Sequence, residues 1–167
     1  MARFQNYYEP EGTWRGGREK APAVICRKVA MAEDGGTIPV WGDGTVIRNY
    51  TYVDDLVGGI YALMQSDLEG AVNIGGEEYV TVAELVQTVI DVSGKDIRIE
   101  YVEGPVGVHS RNFSKERIKS LGWEAQVPLK EGIAHTYRWI EEQVRAQERE
   151  FDIGATGQGR SVGEVPQ

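Results

Sequence analysis

Short strands rich in β-branched and aromatic residues alternate along this chain with amphipathic helices, and the connections between them are short. This order favours an α/β domain, because each strand or helix must bury one face against a neighbour. Nowhere does a strand lead through a tight glycine-rich turn into a helix and a second strand, as a complete nucleotide-binding βαβ unit requires. The sequence therefore predicts a mixed α+β fold of the α/β class without a dinucleotide-binding lobe.

A chain of 167 residues can form one domain with a hydrophobic core but not two of ordinary size. We expect this domain to cover residues 1–150, followed by a flexible tail over residues 151–167, which are glycine-rich and aperiodic. Helices are predicted over about 22–33, 54–65, 81–90, 114–121 and 130–149. Strands are predicted over about 2–8, 38–41, 45–52, 71–74 and 97–102.

Charge and composition exclude several classes of protein. The formal net charge is −8, and an acidic chain repels nucleic-acid phosphate at long range. Residues 1–30 carry six basic and three acidic side chains, so this segment is +3 and the remainder is −11 (−8 minus +3). Such a basic segment can bind a small anion or simply be a solvated surface. The sequence has one cysteine and contains neither a secretory signal nor a membrane-spanning run. Together with the acidic charge, these features favour a cytoplasmic protein without membrane or nucleic-acid partners.

The candidate binding residues lie at strand ends and helix starts. Asn6 ends the first strand, where open α/β folds place ligand-contacting groups. Glu19 and Lys20 precede the first helix, whose free N–H groups and dipole favour anions. Arg48 and Arg111 can each form a forked pair of hydrogen bonds with a phosphate. The same residues are also compatible with a solvated helix start and a strand edge, and no metal-ligand spacing is present.

Three segments resemble elements of the extended short-chain dehydrogenase/reductase family. They are Arg3–Pro10 (R-x-x-N-x-Y-G-P in the family), Arg48–Asp55 (R-x-[FY]-x-[FYH]-[VI]-x-D) and Val72–Gly75 ([FVY]-N-[IV]-G). Further runs resemble the nucleotide-sugar epimerases of that family that act on GDP-mannose. These runs are Gly12–Pro22, Trp41–Gly44, Gly104–Asn112 and Leu129–Gly132. The resemblance covers roughly residues 2–145.

The resemblance implies the carboxy-terminal, substrate-binding portion of an NAD-dependent nucleotide-sugar epimerase. In such enzymes NAD takes a hydride from the sugar, the resulting ketone acidifies neighbouring C–H bonds, and a lysine and a cysteine exchange protons with the ring. The lysine corresponds to Lys20, which becomes the predicted catalytic residue. Contacts with a GDP-mannose-like nucleotide sugar are implied for Asn6, Glu19, Lys20, Ala21, Lys28, Arg48 and Arg111.

Two departures and one absence qualify this resemblance. Gln5 replaces a histidine of the epimerases, and Glu9 replaces a glycine of the wider family, where a carboxylate can repel the diphosphate. This chain has no counterpart of the family's NAD-binding loop or of its Tyr-x-x-x-Lys pair. The catalytic cysteine is also missing, because the one cysteine, Cys26, does not match its position. We therefore expect no NAD and no metal to bind this chain alone, and no epimerase activity without a dinucleotide-binding lobe from another chain.

Two other functions remain open on the sequence. The chain can be a non-catalytic nucleotide-sugar-binding or interaction module, with self-association as a homo-oligomer covering the surface that a second lobe would otherwise contact. It can also belong to an enzyme with a different chemistry of the extended family, such as dehydration. The run Gly12–Pro22 favours the epimerase over the dehydratase.

Overall fold

A computed structural model describes residues 1–105, 107–110 and 112–157, and within them the chain forms eight strands and five helices. The strands are β1 (Ala2–Phe4), β2 (Tyr7–Tyr8), β3 (Thr37–Trp41), β4 (Ile47–Asn49), β5 (Thr51–Tyr52), β6 (Val72–Ile74), β7 (Tyr79–Thr81) and β8 (Arg98–Val102). The helices are α1 (Ala21–Met31), α2 (Val53–Met64), α3 (Val82–Ser93), α4 (Glu116–Lys119) and α5 (Leu129–Gly157). The predicted α/β class is confirmed.

The described strands pair two by two, and three of the four pairs are parallel. The strand β1 pairs with β6, β2 with β5 and β3 with β8 in parallel, whereas β4 pairs with β7 in antiparallel. The strands predicted as single units over residues 2–8 and 45–52 are each divided, because the two halves of each segment pair with different partners. The short strand β7 was not predicted.

The helix starts follow local chemistry. Pro22 lies in the first turn of α1, where its missing N–H costs no hydrogen bond. Thr81 and Glu84 form a capping box at the start of α3. Tyr52 is the N-cap residue of α2, and Asp54 and Asp55 lie in the first turn of that helix. The helix α5 continues past the expected end near residue 149 to Gly157, and residues 158–167 of the predicted tail lie outside the described residues.

The main hydrophobic core lies where α1, α3 and α5 pack together against the strands. Its fully buried side chains include Cys26 and Val29 of α1, Leu85 of α3 and Ile133 of α5. A smaller core forms between α2 and the β1–β6 pair, around Leu56, Val72, Ile74 and Ile118. Because α1 contributes one face to the main core, its amino-terminal turn is fixed relative to β3 and β4.

Two of the family-like segments contact each other through a glycine. The hydroxyl of Tyr8 donates a hydrogen bond to the carbonyl of Leu129 at 3.3 Å. A Cβ atom at Gly132 would collide with the Tyr8 hydroxyl and lie 2.9 Å from Cδ2 of Tyr52. The glycine of the Leu129–Gly132 run therefore lets α5 approach the aromatic side chains of β2 and β5.

The carboxyl end of α1 is capped by a lysine from the loop after α3. Nζ of Lys95 donates hydrogen bonds to the carbonyls of Val29 at 2.9 Å, Ala30 at 2.8 Å and Ala32 at 2.8 Å. These carbonyls have no partner within the helix, and a cation there interacts favourably with the helix dipole. In the part of the chain described, no helix is long and apolar enough to cross a membrane.

Replacing Lys95 with methionine should lower the free energy of unfolding by about 1–3 kcal/mol, because three carbonyls of α1 lose a charged donor. Methionine keeps most of the aliphatic length of lysine, so the effect reports on the ammonium group. Lys130 is exposed at the start of α5, and Lys130→Met should change stability by less than about 0.5 kcal/mol. Urea unfolding followed by circular dichroism measures both; equal effects of the two substitutions would contradict this capping role.

Replacing Gly132 with alanine should destabilise the domain by about 1–3 kcal/mol, because the added methyl group collides with Tyr8. Gly58 in α2 is the matched control, because a Cβ there would contact only the indole nitrogen of Trp123 at 3.4 Å. Gly58→Ala should leave stability unchanged or raise it by up to about 1 kcal/mol, since alanine favours the helix. Thermal unfolding measures the midpoint temperature of both variants. A steric collision lowers this temperature in Gly132→Ala, whereas helix propensity alone leaves it unchanged or raises it in Gly58→Ala.

Candidate functional site

A cleft of about 340 Å³ lies between α1, β3 and β4 and collects most of the predicted binding residues. Four of them line it: Glu19, Ala21, Lys28 and Arg48. Its apolar wall is formed by Val24, Ile25, Ile38, Val40 and Tyr50. Trp41, which is 61% exposed, lies at the edge of the cleft. The cleft therefore combines an apolar slot with two cationic side chains and a carboxylate.

Lys28 lies in the last turn of α1 and faces the middle of β3. Its Nζ donates a hydrogen bond to the carbonyl of Pro39 at 2.7 Å. Burial lowers the pKa of the Lys28 ammonium below its ordinary value, and the charge of Arg27 lowers it further. An anion bound in the cleft would offset both effects, because it adds an opposite charge next to the ammonium group.

Glu19, which precedes α1, is held by an ion pair with Arg27 of that helix. Its Oε1 lies 3.3 Å from Nη2 of Arg27, and the Glu19 side chain is only 5% exposed. This pair fixes the carboxylate at the wall of the cleft. A carboxylate has further acceptor positions, which can take hydrogen bonds from hydroxyl or amide donors.

Arg48 anchors the loop that borders the cleft. Its Nη1 donates to the carbonyls of Ile47 at 2.7 Å and His109 at 3.2 Å, and its Nη2 donates to that of Val108 at 2.5 Å. Arginine has five N–H donors, so these three bonds leave two for an anion. The side chain can thus hold the loop and bind a phosphate at the same time. Arg111, predicted to bind the diphosphate from this loop, lies outside the described residues.

Lys20 lies in a separate hollow of about 180 Å³ at the amino end of α1. Its Nζ lies 5.6 Å from the centroid of the Tyr7 ring. Glu9 and Arg18 line the same hollow. Burial raises the pKa of the Glu9 carboxyl above its ordinary value, and the charge of Lys20 acts in the opposite direction. The predicted catalytic lysine is therefore one residue from the cleft in sequence but does not line it.

Asn6 lies in a third hollow, of about 100 Å³, which shares Arg48 with the cleft. Nδ2 of Asn6 donates to the carbonyl of Asn49 at 3.3 Å. Oε1 of the neighbouring Gln5 is buried and accepts no hydrogen bond from the described residues. Arg48 therefore connects the cleft with the hollow that contains the predicted amide.

The sequence did not identify two features of this region. Trp41 belongs to the family-like run Trp41–Gly44, but no sequence signal placed its side chain at a ligand cleft. Glu9 was identified as a departure, but its position in the hollow of Lys20 depends on the path of the loop before α1.

Cys26 is fully buried, and burial raises the pKa of its thiol to about 12, which is unsuitable for proton exchange.

The described residues do not form the loop that holds the pyrophosphate of NAD. Such a loop needs a strand, a tight glycine turn and a helix in direct succession. Gly75 and Gly76 follow β6 but lead to the strand β7, and the glycines before α1 lie in a long loop. No group of three histidine, cysteine, aspartate or glutamate side chains in the described residues is placed to hold a metal ion.

Comparison with known proteins shows that the chain is similar to parts of several nucleotide-sugar enzymes. Residues 2–75 match the NAD dependent epimerase/dehydratase family. The chain is 41% identical to GDP-mannose 3,5-epimerase of Arabidopsis thaliana over 98% of its own length and 43% of that protein. It is 34% identical to the probable GDP-L-fucose synthase 1 of Oryza sativa subsp. japonica, over 84% of this chain and 42% of that protein.

The fold of this chain is similar to part of the fold of solved nucleotide-sugar epimerases. UDP-glucose 4-epimerase of Thermotoga maritima, solved with UDP-glucose, superposes with a TM-score of 0.76 at 27% identity, over 86% of this chain and 46% of that one. The chain thus spans less than half the length of the relatives that it matches. The resemblance inferred from the sequence runs is confirmed: residues 2–75 match the NAD dependent epimerase/dehydratase family, and the chain matches part of GDP-mannose 3,5-epimerase.

Proposed function

We propose that this chain binds a GDP-mannose-like nucleotide sugar and is the substrate-binding portion of a nucleotide-sugar epimerase. The observation that carries the proposal is the cleft in which Glu19, Ala21, Lys28 and Arg48 surround an apolar slot. A flat base fits an apolar slot, and a diphosphate needs cations at its end. The names of the plant relatives favour guanosine as the nucleoside.

The diphosphate would lie between Lys28 and Arg48. Each offers charge-assisted hydrogen bonds, which are about twice as strong as neutral ones. Arg48 binds through the N–H groups that its loop contacts leave available. Glu19, fixed by Arg27, accepts hydrogen bonds from ligand hydroxyl or amide groups.

The sugar would lie beyond the diphosphate, near the first turn of α1 and the hollow of Asn6. Glu19 and Ala21 line the cleft, while Lys20 between them lines the neighbouring hollow. In this arrangement Lys20 is placed to give or take a proton at the sugar ring once that ring carries an acidified C–H bond. The described residues of this chain do not supply the group that acidifies it, so catalysis requires a dinucleotide-binding lobe. A non-catalytic binding module would share the cleft but gain no activity from such a lobe.

Replacing Lys28 with methionine should weaken GDP-mannose binding about 10-fold, because the diphosphate loses one charge-assisted partner worth roughly 1.4 kcal/mol. Isothermal titration calorimetry measures the dissociation constant for the purified chain. Lys130→Met, an exposed change at α5, is the control and should leave binding unchanged. No heat of binding with the unaltered chain would reject the proposed function, while equal affinity of the two variants would reject the role of Lys28.

The affinity for GDP-mannose should also depend on pH through Lys28. Its pKa is lowered in the ligand-free chain, so the ammonium loses its proton at a lower pH than an ordinary lysine. As pH rises through that pKa, the diphosphate loses a cation and binding weakens. In Lys28→Met this part of the pH dependence should be missing, and titrations at several pH values compare the two proteins.

The purified chain mixed with NAD and GDP-mannose should incorporate no solvent deuterium at C3 or C5 of the sugar. Lys20 has no acidified proton to exchange until a ketone is formed beside it. Proton NMR in D₂O measures the incorporation over time. Measurable incorporation by the chain alone would show that it catalyses the exchange without a second lobe.

A further inference from the structure

We propose that Trp14 and Trp139 are positioning residues, whose edge-to-face contact holds the hollow of Lys20 in the shape that accepts the sugar of the ligand. This inference rests on the proposed function, because it concerns the part of the site that would receive the sugar. We call these two side chains the tryptophan pair. The pair joins the loop before α1, which contains the start of the family-like run Gly12–Pro22, to the helix α5.

The two indole rings of the tryptophan pair meet at nearly a right angle. Their centroids are 6.4 Å apart, and the angle between the ring planes is 89°. Aromatic pairs favour this edge-to-face arrangement, because the positive edge of one ring meets the negative face of the other. Both side chains are half-buried and pack against the main core. The contact therefore fixes the orientation of Trp14 as well as its position.

Arg15 adds two contacts beside the tryptophan pair. Its Cζ lies 5.3 Å from the centroid of the Trp14 ring, a distance at which a guanidinium group is attracted to an aromatic face. With the Gln147 amide turned so that its oxygen faces Arg15, this oxygen accepts a hydrogen bond from Nη2 at 3.3 Å. The loop is thus attached to α5 through two consecutive residues.

The loop before α1 has few other attachments. Among the described residues, the backbone hydrogen bonds outside helices and strands include none that joins residues 9–19 to another segment. Glu11 has a φ of 64°, in the left-handed region, and a non-glycine residue stays there only where its surroundings hold it. The ion pair of Glu19 with Arg27 holds only the carboxyl end of the loop. The path of the preceding residues therefore depends on the contact with α5.

The tryptophan pair lies next in sequence to one wall of the hollow of Lys20. Gly12 and Thr13 line this hollow, and Trp14 is the next residue of the chain. Arg18 and Lys20 line the same hollow from the other end of the loop. A shift of Trp14 would therefore move one wall and change its distance from the ammonium group of Lys20.

The cations proposed to bind the diphosphate belong to other elements. Lys28 lies within α1 and Arg48 within β4, so the loop carries neither of them. Loss of the tryptophan pair should therefore weaken the binding of the sugar more than the binding of GDP. A general loss of the fold would weaken the binding of both ligands, and the comparison of the two separates a positioning role from a structural one.

Four variants test the pair. Trp14→Leu and Trp139→Leu each replace one ring with an aliphatic side chain, and the double variant completes a double-mutant cycle. Trp14→Phe is the conservative control, because a phenyl ring can make the same edge-to-face contact. Circular dichroism and thermal unfolding check that each variant is folded at the temperature of the titration.

Isothermal titration calorimetry of the full chain with GDP-mannose and with GDP measures both dissociation constants for each protein. We expect the unaltered chain to bind GDP-mannose more tightly than GDP. In each leucine variant the affinity for GDP-mannose should fall about 5-fold, while that for GDP should change by less than about 2-fold. The double variant should bind GDP-mannose no more weakly than the single variants, because the second substitution removes a contact that is already lost. Trp14→Phe should stay within about 2-fold of the unaltered chain.

Amide hydrogen exchange over residues 12–18 measures the mobility of the loop directly. It should be faster in Trp139→Leu than in the unaltered chain, because the substituted residue lies on α5 and acts on the loop only through the contact. Unchanged exchange over these residues would refute the positioning role, whether or not a ligand binds.

Three titration results would also overturn the inference. They are equal affinities of the unaltered chain for GDP-mannose and GDP, equal weakening of both ligands in the leucine variants, or additive losses in the double variant. If Trp139→Leu does not fold, Trp14→Leu decides through the ratio of its two affinities and through its exchange over residues 12–18. Failure of the unaltered chain to bind either ligand would reject the proposed function, whereas binding that the leucine variants retain in full would refute only the role of the tryptophan pair.

Discussion

The packing of α1 against α3 and α5 determines where the candidate binding residues at and within this helix lie, namely Glu19, Lys20, Ala21 and Lys28. Cys26 and Val29 are fully buried in that interface, and Lys95 holds the carboxyl end of the helix through three carbonyls. With this end fixed, the first turn of α1 is directed at β3 and β4. The buried face of the helix thereby sets the distance across the cleft, although none of its core residues would touch a ligand.

Electrostatics makes this cleft favourable for an anion. The chain is acidic overall, yet Lys28 and Arg48 are brought together from segments twenty positions apart in the sequence (48 minus 28). Neither forms an ion pair within the described residues; both donate to backbone carbonyls instead. No acidic side chain of the described residues therefore compensates their charges. Salt screens the long-range repulsion between an anion and the acidic remainder of the chain, but it screens the attraction at close contact with Lys28 and Arg48 much less.

The sequence predicted the local features of the fold and only part of its site. Capping residues, the proline in α1 and apolar periodicity act over a few residues, so the helices were located within about three positions of their observed limits, except at the carboxyl end of α5. The division of residues 45–52 into β4 and β5 depends on partners far along the chain, which no local pattern reveals. For the same reason Glu19, Ala21, Lys28 and Arg48 could be grouped only through the family resemblance, while their shared cleft became visible in the structure.

The position of Glu9 shows why a family resemblance does not transfer residue by residue without the structure. From the sequence, a carboxylate in place of glycine suggests repulsion of the diphosphate. In the structure Glu9 lines the hollow of Lys20 rather than the cleft of Lys28 and Arg48, so the charge that it faces is a lysine ammonium. Opposite charges in one partly buried hollow stabilise each other, and the carboxylate lies away from the cations proposed to hold the diphosphate. The departure at residue 9 therefore bears on the environment of the predicted proton-transfer residue, and the proposed nucleotide contacts involve other side chains.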